Sequence, residues 1–236
     1  MNVLLLHAGI ADRRMWAPQI EALEAAGHRV VAPDLPGFGD AALEPPTVDY
    51  VEFSAELLDE PAAVVGCSFG GRVALELAGA KPELVRKLVL VAPGLASTEW
   101  SEESKAGFAE EEALVDRGDL AGAGEQQARM WLAPDASDEV RALTADMTVR
   151  SYDQQLAADD VRAVWPDPSA ETRLAELDVP ALVVVGDADR VEMRELAVSL
   201  AAALPDAHLE TIAGVGHLPS IERPDELNAL LLDFLK

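Results

Sequence analysis

The chain is short of cysteine, of basic residues and of long apolar runs. A single cysteine, Cys67, among 236 residues excludes an intramolecular disulfide. No stretch of about 18 apolar residues is present to span a bilayer. The opening residues 1–6 are apolar but lack the charged start and small-residue cleavage site of a secretory signal, so a cytoplasmic location is expected. Lysine and arginine number 18 against 43 aspartates and glutamates, for a formal charge of -25. That balance repels polyanions and argues against nucleic acid or an anionic membrane surface as a partner. Solubility accounts for the acidity, and adaptation to high salt would produce the same excess.

What is present is half apolar, enough at this length to bury one good core, so one domain with an inserted segment is expected. Short apolar runs alternate with helical patterns. Residues 3–6, 30–32, 62–67, 87–92 and 181–185 read as buried strands and 207–212 as a weaker sixth. None alternates polar with apolar as a half-exposed sheet would, which predicts an α/β domain with a parallel sheet of about six strands. The first helix is predicted over 13–26, with Asp12 placed to cap it and Gly27 just past its end. The last begins near Pro224, with Leu227, Leu230, Leu231, Phe234 and Leu235 forming a core-facing stripe.

Between Pro93 and about Asp178 no strand-like run is evident and the pattern is mostly helical. Residues 94–178 therefore read as a helical lid inserted after the fourth strand, in a core formed by 1–93 and 179–236. The alternative is a solvated helical flank without function. A long insertion directly after a strand's C-terminal end lies where open α/β sheets place their sites, which favours the lid.

A serine hydroxyl is a poor nucleophile at neutral pH and needs a base, an acid to orient that base, and donors for the oxyanion. Ser68, in Gly66-Cys67-Ser68-Phe69-Gly70, sits between a strand-like run and a helix-like run. That is the context that turns a weak G-x-S-x-G match into a nucleophile elbow. Cys67 should face the sheet and behave as a small hydrophobe. Of the four histidines, His28 and His208 fall near the surface and His7 more plausibly props up the loop that follows it. His217, on a glycine-rich loop before the last helix, remains as the base. Asp189, after the fifth strand, is the chosen acid and Asp187 the runner-up. The backbone N–H groups of Phe69 and Gly9 are the candidate oxyanion donors. Ile10, Trp131 and Leu218 are candidates for the substrate pocket. No metal or organic cofactor is implied.

The order Ser68, Asp189, His217, together with the elbow, the loop Asp34-Leu35-Pro36-Gly37-Phe38-Gly39 and the closing Gly216-His217-Leu218-Pro219, resembles the α/β-hydrolase superfamily over nearly the whole chain. The stretch from His7 to Trp16 looks like the corresponding region of 3-oxoadipate enol-lactonases and many bacterial hydrolases. Two departures stand out. Ala8 occupies a position where many relatives carry glycine, and the first strand resembles the family's third, so the antiparallel hairpin ahead of it is missing. The resemblance thus implies a six-stranded, all-parallel sheet with one edge less covered, where two copies could pair; monomer and homodimer both stay open.

Hydrolysis of an apolar carboxylic ester or lactone through an acyl-enzyme is the leading expectation. Acyl transfer, cofactor-free perhydrolysis, carbon–carbon bond hydrolysis and a non-catalytic ligand-binding relative are the alternatives. A haloalkane dehalogenase is disfavoured, because in this fold that chemistry uses a carboxylate where Ser68 stands.

Overall fold

The computed structural model describes residues 1–44, 46–158 and 161–236. Its centre is a six-stranded sheet of β1 (Asn2–Leu6), β2 (Arg29–Val31), β4 (Ala62–Cys67), β5 (Val85–Val91), β7 (Ala181–Gly186) and β8 (Ala207–Ile212). Every pairing is parallel, in the order β2-β1-β4-β5-β7-β8. Successive side chains of a strand point to opposite faces, and here both faces are covered. Leu4, Leu6, Val64, Leu88, Leu90 and Val183 pack on one side with residues of α2 (Tyr50–Glu56), α3 (Phe69–Ala80) and α7 (Val191–Ala203). Val3, Leu5, Ala63, Val65, Val89, Val91 and Val184 pack on the other, with Met15, Trp16 and Leu23 and with Leu227 and Leu231 of α9 (Pro224–Phe234). Burial on both faces is why these strands read as continuous apolar runs.

The helix after β1 begins as a 3-10 turn at Arg13–Trp16, whose Asp12 side chain accepts from the N–H of Arg14, and continues as α1 (Ala17–Ala25). The chain leaves β1 toward β2 on one side and returns on the other side as β4. The crevice at the C-terminal ends of β1 and β4 is therefore the switch point where such sheets bind ligands. The loop holding Gly9 follows β1 and Ser68 follows β4.

Between β5 and β7 lie α4 (Glu102–Asp116), α5 (Leu120–Trp131) and α6 (Asp138–Leu156). The expectation of no strand in this stretch is corrected. Arg162–Val164 forms β6, which pairs in parallel with β3 (Thr47–Asp49) in a separate two-stranded sheet. Three residues are too few to show a period, so neither strand was readable. After β6, Ser169 Oγ and the N–H of Ala170 donate to buried Glu76, so the chain here packs against α3. No described helix is long and apolar enough to cross a membrane.

Candidate active site

Ser68 lies at the junction of β4 and α3 with φ 51° and ψ -112°, a left-handed backbone that a residue with a Cβ adopts only under strain. Backbone bonds hold the turn in place. The N–H of Ser68 donates to Val91 O at 2.9 Å, and Ser68 O accepts from Gly94 N at 3.1 Å. The serine side chain makes no capping bond to the helix it precedes, which leaves the hydroxyl available.

Close approach dictates the neighbouring glycines. A Cβ on Gly70 would lie 2.3 Å from Leu6 O, and one on Gly66 would lie 2.1 Å from Gly70 O. Both contacts are with backbone, so neither can relax without moving a strand or a helix.

His217 is buried, with 1% of its surface exposed. Its Nδ1 lies 2.9 Å from Asp189 Oδ2, and that carboxylate is buried in turn. A carboxylate only accepts, so the ring presents Nδ1–H to it and Nε2 stays free to accept a proton. The other oxygen of Asp189 accepts the N–H of Arg190 at 2.7 Å. Asp187, the runner-up, is exposed and accepts the N–H of Gly214 at 2.6 Å, so it serves the turn before the histidine.

The histidine loop reaches the elbow: the Cys67 thiol donates to His217 O at 3.7 Å. Cys67 is fully buried, and burial pushes its thiol well above the ordinary range, with Asp189 and Glu222 adding to the effect. His7 is also fully buried, with Nδ1–H donating to Ala8 O and Nε2 accepting from Leu35 N, both at 2.9 Å. Burial lowers its pKa. His7 therefore stays neutral and joins the loops after β1 and β2.

Gly9 and Phe69 lie side by side, since a Cβ on Gly9 would stand 3.5 Å from Phe69 Cβ. Phe69 is the first residue of α3, where N–H groups have no partner within the helix. Among the pocket candidates, Ile10 is partly buried and its carbonyl accepts from Thr148 Oγ1 of α6 at 2.9 Å. Trp131 stacks on the His217 ring at 4.3 Å between centroids, and Trp100 and Phe108 pack around it. Leu218, expected at the pocket, is fully buried in the core layer with Met15, Trp16 and Leu231. Its backbone, directly after His217, turns the side chain inward.

Sequence reasoning missed the bonds that tie α4, α5 and α6 to other parts of the chain near the site. Arg190, beside Asp189, donates to Ser104 of α4 at 2.6 Å, and Glu192 accepts from Ser101 N and Ser104 Oγ at 2.8 and 2.7 Å. Gln154 and Gln155 of α6 donate to the carbonyls of Gly39 and Gly37. Trp131 O, at the end of α5, accepts the N–H of His217 at 2.8 Å. Among the described residues, no group of three or more His, Cys, Asp or Glu side chains is placed to hold a metal ion.

The sequence model of the alpha/beta hydrolase family matches residues 3–230. The carboxylesterase YbfK of Bacillus subtilis is 26% identical over 247 residues, covering 99% of this chain and 80% of that protein. A pimeloyl-[acyl-carrier protein] methyl ester esterase of Neisseria meningitidis is 30% identical, covering 100% of this chain and 93% of that one. The solved enol-lactonase of Burkholderia xenovorans superposes with a TM-score of 0.79 at 23% identity, over 99% of this chain and 90% of that one, a likeness of fold.

Proposed function

The chain belongs to the alpha/beta hydrolase family, and on that premise we propose that it hydrolyses carboxylic esters or lactones through Ser68, His217 and Asp189. The observation that carries this reading is a buried histidine bonded at Nδ1 to Asp189, on a loop that touches the residue before the strained Ser68 turn. Esterase relatives that span nearly the whole chain support the reaction class.

Nε2 of His217 takes the proton from Ser68 Oγ as the oxygen bonds to the substrate carbonyl carbon. The resulting oxyanion lies between the N–H groups of Phe69 and Gly9, where the N-terminus of α3 also favours negative charge. Asp189 holds the ring in the productive tautomer and offsets the charge of the imidazolium. Collapse breaks the C–O bond, and the proton on Nε2 goes to the departing alkoxide; in a lactone that alcohol remains on the acyl group. Water then gives a proton to Nε2 and attacks the acyl carbon, and the same proton returns to Ser68 as the acid leaves.

We read residues 94–178 as an insertion into a core of 1–93 and 179–236, with α4 to α6 as the covering lid. Trp131, stacked on His217 with Trp100 and Phe108 packed against it, favours an apolar substituent on the substrate.

The test is labelling with a fluorophosphonate probe, together with hydrolysis of p-nitrophenyl esters of graded chain length and of simple lactones. Wild type should label and turn over at least one of these substrates, and Ser68→Ala should do neither. A wild-type protein that does not label would overturn the assignment of Ser68.

A further inference from the structure

We infer that Glu222 is a positioning residue that holds His217 in register with Ser68 and fastens the insertion to the histidine loop. This inference rests on the reading of Ser68, His217 and Asp189 as the catalytic group. The chain passes from His217 into a single helical turn, α8 (Pro219–Glu222), which brings the Glu222 side chain back beneath the residues it follows.

The Glu222 carboxylate is buried, at 7% exposure, and accepts three backbone N–H groups. Oε1 accepts from Leu218 at 3.0 Å, while Oε2 accepts from Gly216 at 3.1 Å and from Ala133 at 2.8 Å. The residues immediately before and after His217 are thus bound to one rigid group. The N–H of His217 itself goes to Trp131 O at 2.8 Å. Three consecutive amides are therefore fixed, and two of the four bonds lead to residues 131–133 of the insertion.

A buried carboxylate loses much of its hydration and persists only where charge or hydrogen bonds replace it. Neighbouring Arg223 pairs with Asp135, and among the described residues the hydrogen bonds to the Glu222 carboxylate come from the three backbone amides. Ordinary loop closure does not require burying an anion. What the anion adds is strong, charge-assisted bonding that leaves the backbone on either side of the histidine little freedom. Gly216 fits the same purpose: a Cβ there would lie 2.5 Å from Ala133 N and from Trp131 O. A catalytic base displaced by about 1 Å loses on the order of 100-fold in rate, so this bracing acts on turnover rather than on substrate binding.

The experiment compares Glu222→Gln with wild type, each with and without His217→Ala. The isosteric amide keeps the volume, but its NH₂ faces backbone donors. We expect kcat to fall on the order of 10- to 100-fold with KM within about threefold. In the His217→Ala background, Glu222→Gln should change the residual fluorophosphonate labelling rate by less than about twofold, because its effect passes through the histidine. A second readout does not depend on turnover: the low-field proton resonance of His217 Nδ1–H should shift or broaden in Glu222→Gln while the protein stays folded.

Unchanged kcat and an unchanged resonance would overturn the inference, as would an equal loss in both backgrounds. If Glu222→Gln does not fold, Glu222→Asp, one carbon shorter and unable to reach all three amides, should show the same pattern with a smaller loss. If both unfold, Glu222 serves stability alone and the inference fails. Wild-type protein that does not label defeats the underlying reading instead, so the two failures are distinguishable.

Discussion

Asp189 and Asp187 stand two residues apart on one turn and serve different partners. Asp189 meets the His217 ring at 2.9 Å, whereas Asp187 meets the backbone of Gly214. Asp189→Asn should present an amide where Nδ1–H needs an acceptor, favouring the wrong tautomer. We expect kcat to fall on the order of 10⁴-fold, against less than about 10-fold for Asp187→Asn. Steady-state kinetics on one ester checks this, and the reverse order would reassign the acid.

The glycines at the elbow differ in how much room they have. Gly66→Ala and Gly70→Ala each force a Cβ into backbone at 2.1–2.3 Å, while Gly9→Ala makes an ordinary 3.5 Å contact. The first two should lose about 1–3 kcal/mol or more. That corresponds to a drop of several degrees in Tm, at about 2–4 °C per kcal/mol for a chain of this size. Gly9→Ala should leave Tm within about 1 °C by calorimetry.

His7 should affect stability and its pH dependence. Burial lowers its pKa in the folded state, so the unfolded chain takes up the proton first. Its contribution is fully present above the ordinary value of 6.5 and is lost as pH falls from there toward the lowered one. His7→Ala leaves Leu35 N–H and Ala8 C=O without their partner, costing about 1–3 kcal/mol for each. Urea melts between pH 7.5 and 5 should show a lower midpoint at every pH and a flatter dependence than wild type.

Glu192 should govern the start of α4 in acid. Burial opposes its charge, but hydrogen bonds from Ser101 and Ser104 outweigh this and bring its carboxyl from 4.5 to about 2. A depressed acid stabilises fully above its unfolded value, and that effect is lost as pH falls from 4.5 toward 2. The protection factors of the amides near Ser101–Lys105, exchange measured against the intrinsic rate at each pH, should therefore fall over that window. In Glu192→Gln the lowered protection should already be present at neutral pH, and protection equal to wild type would count against the contact.

The parts of this fold that were legible in sequence are those with a repeated local signal. The runs at 62–67 and 181–185 lie between covered faces and are apolar throughout. Ser68 was legible because a strand and a helix flank it, and His217 because few histidines compete with it. The sheet of β3 and β6 was not, since Thr47–Asp49 and Arg162–Val164 are too short for a pattern to form. Nor was Glu222, whose partners are amides that every residue possesses. An acid five positions after the chosen histidine was the only trace it left. The Trp131 ring was placed near the site, but its stacking on His217 depends on a contact between distant parts of the chain.

The bonds of Trp131 and Ala133 to the histidine loop bear on how this scaffold can be re-engineered. A cap joined to its core only by two linkers is a cassette, exchangeable at its ends. Here Trp131 and Ala133, at the end of α5, bond to the amide of His217 and to the carboxylate of Glu222. A transplanted cap would need to bring its own acceptor for that amide and its own donor for that carboxylate. If residues 94–178 are the lid proposed above, graft boundaries chosen only at 94 and 178 would cut both of these bonds.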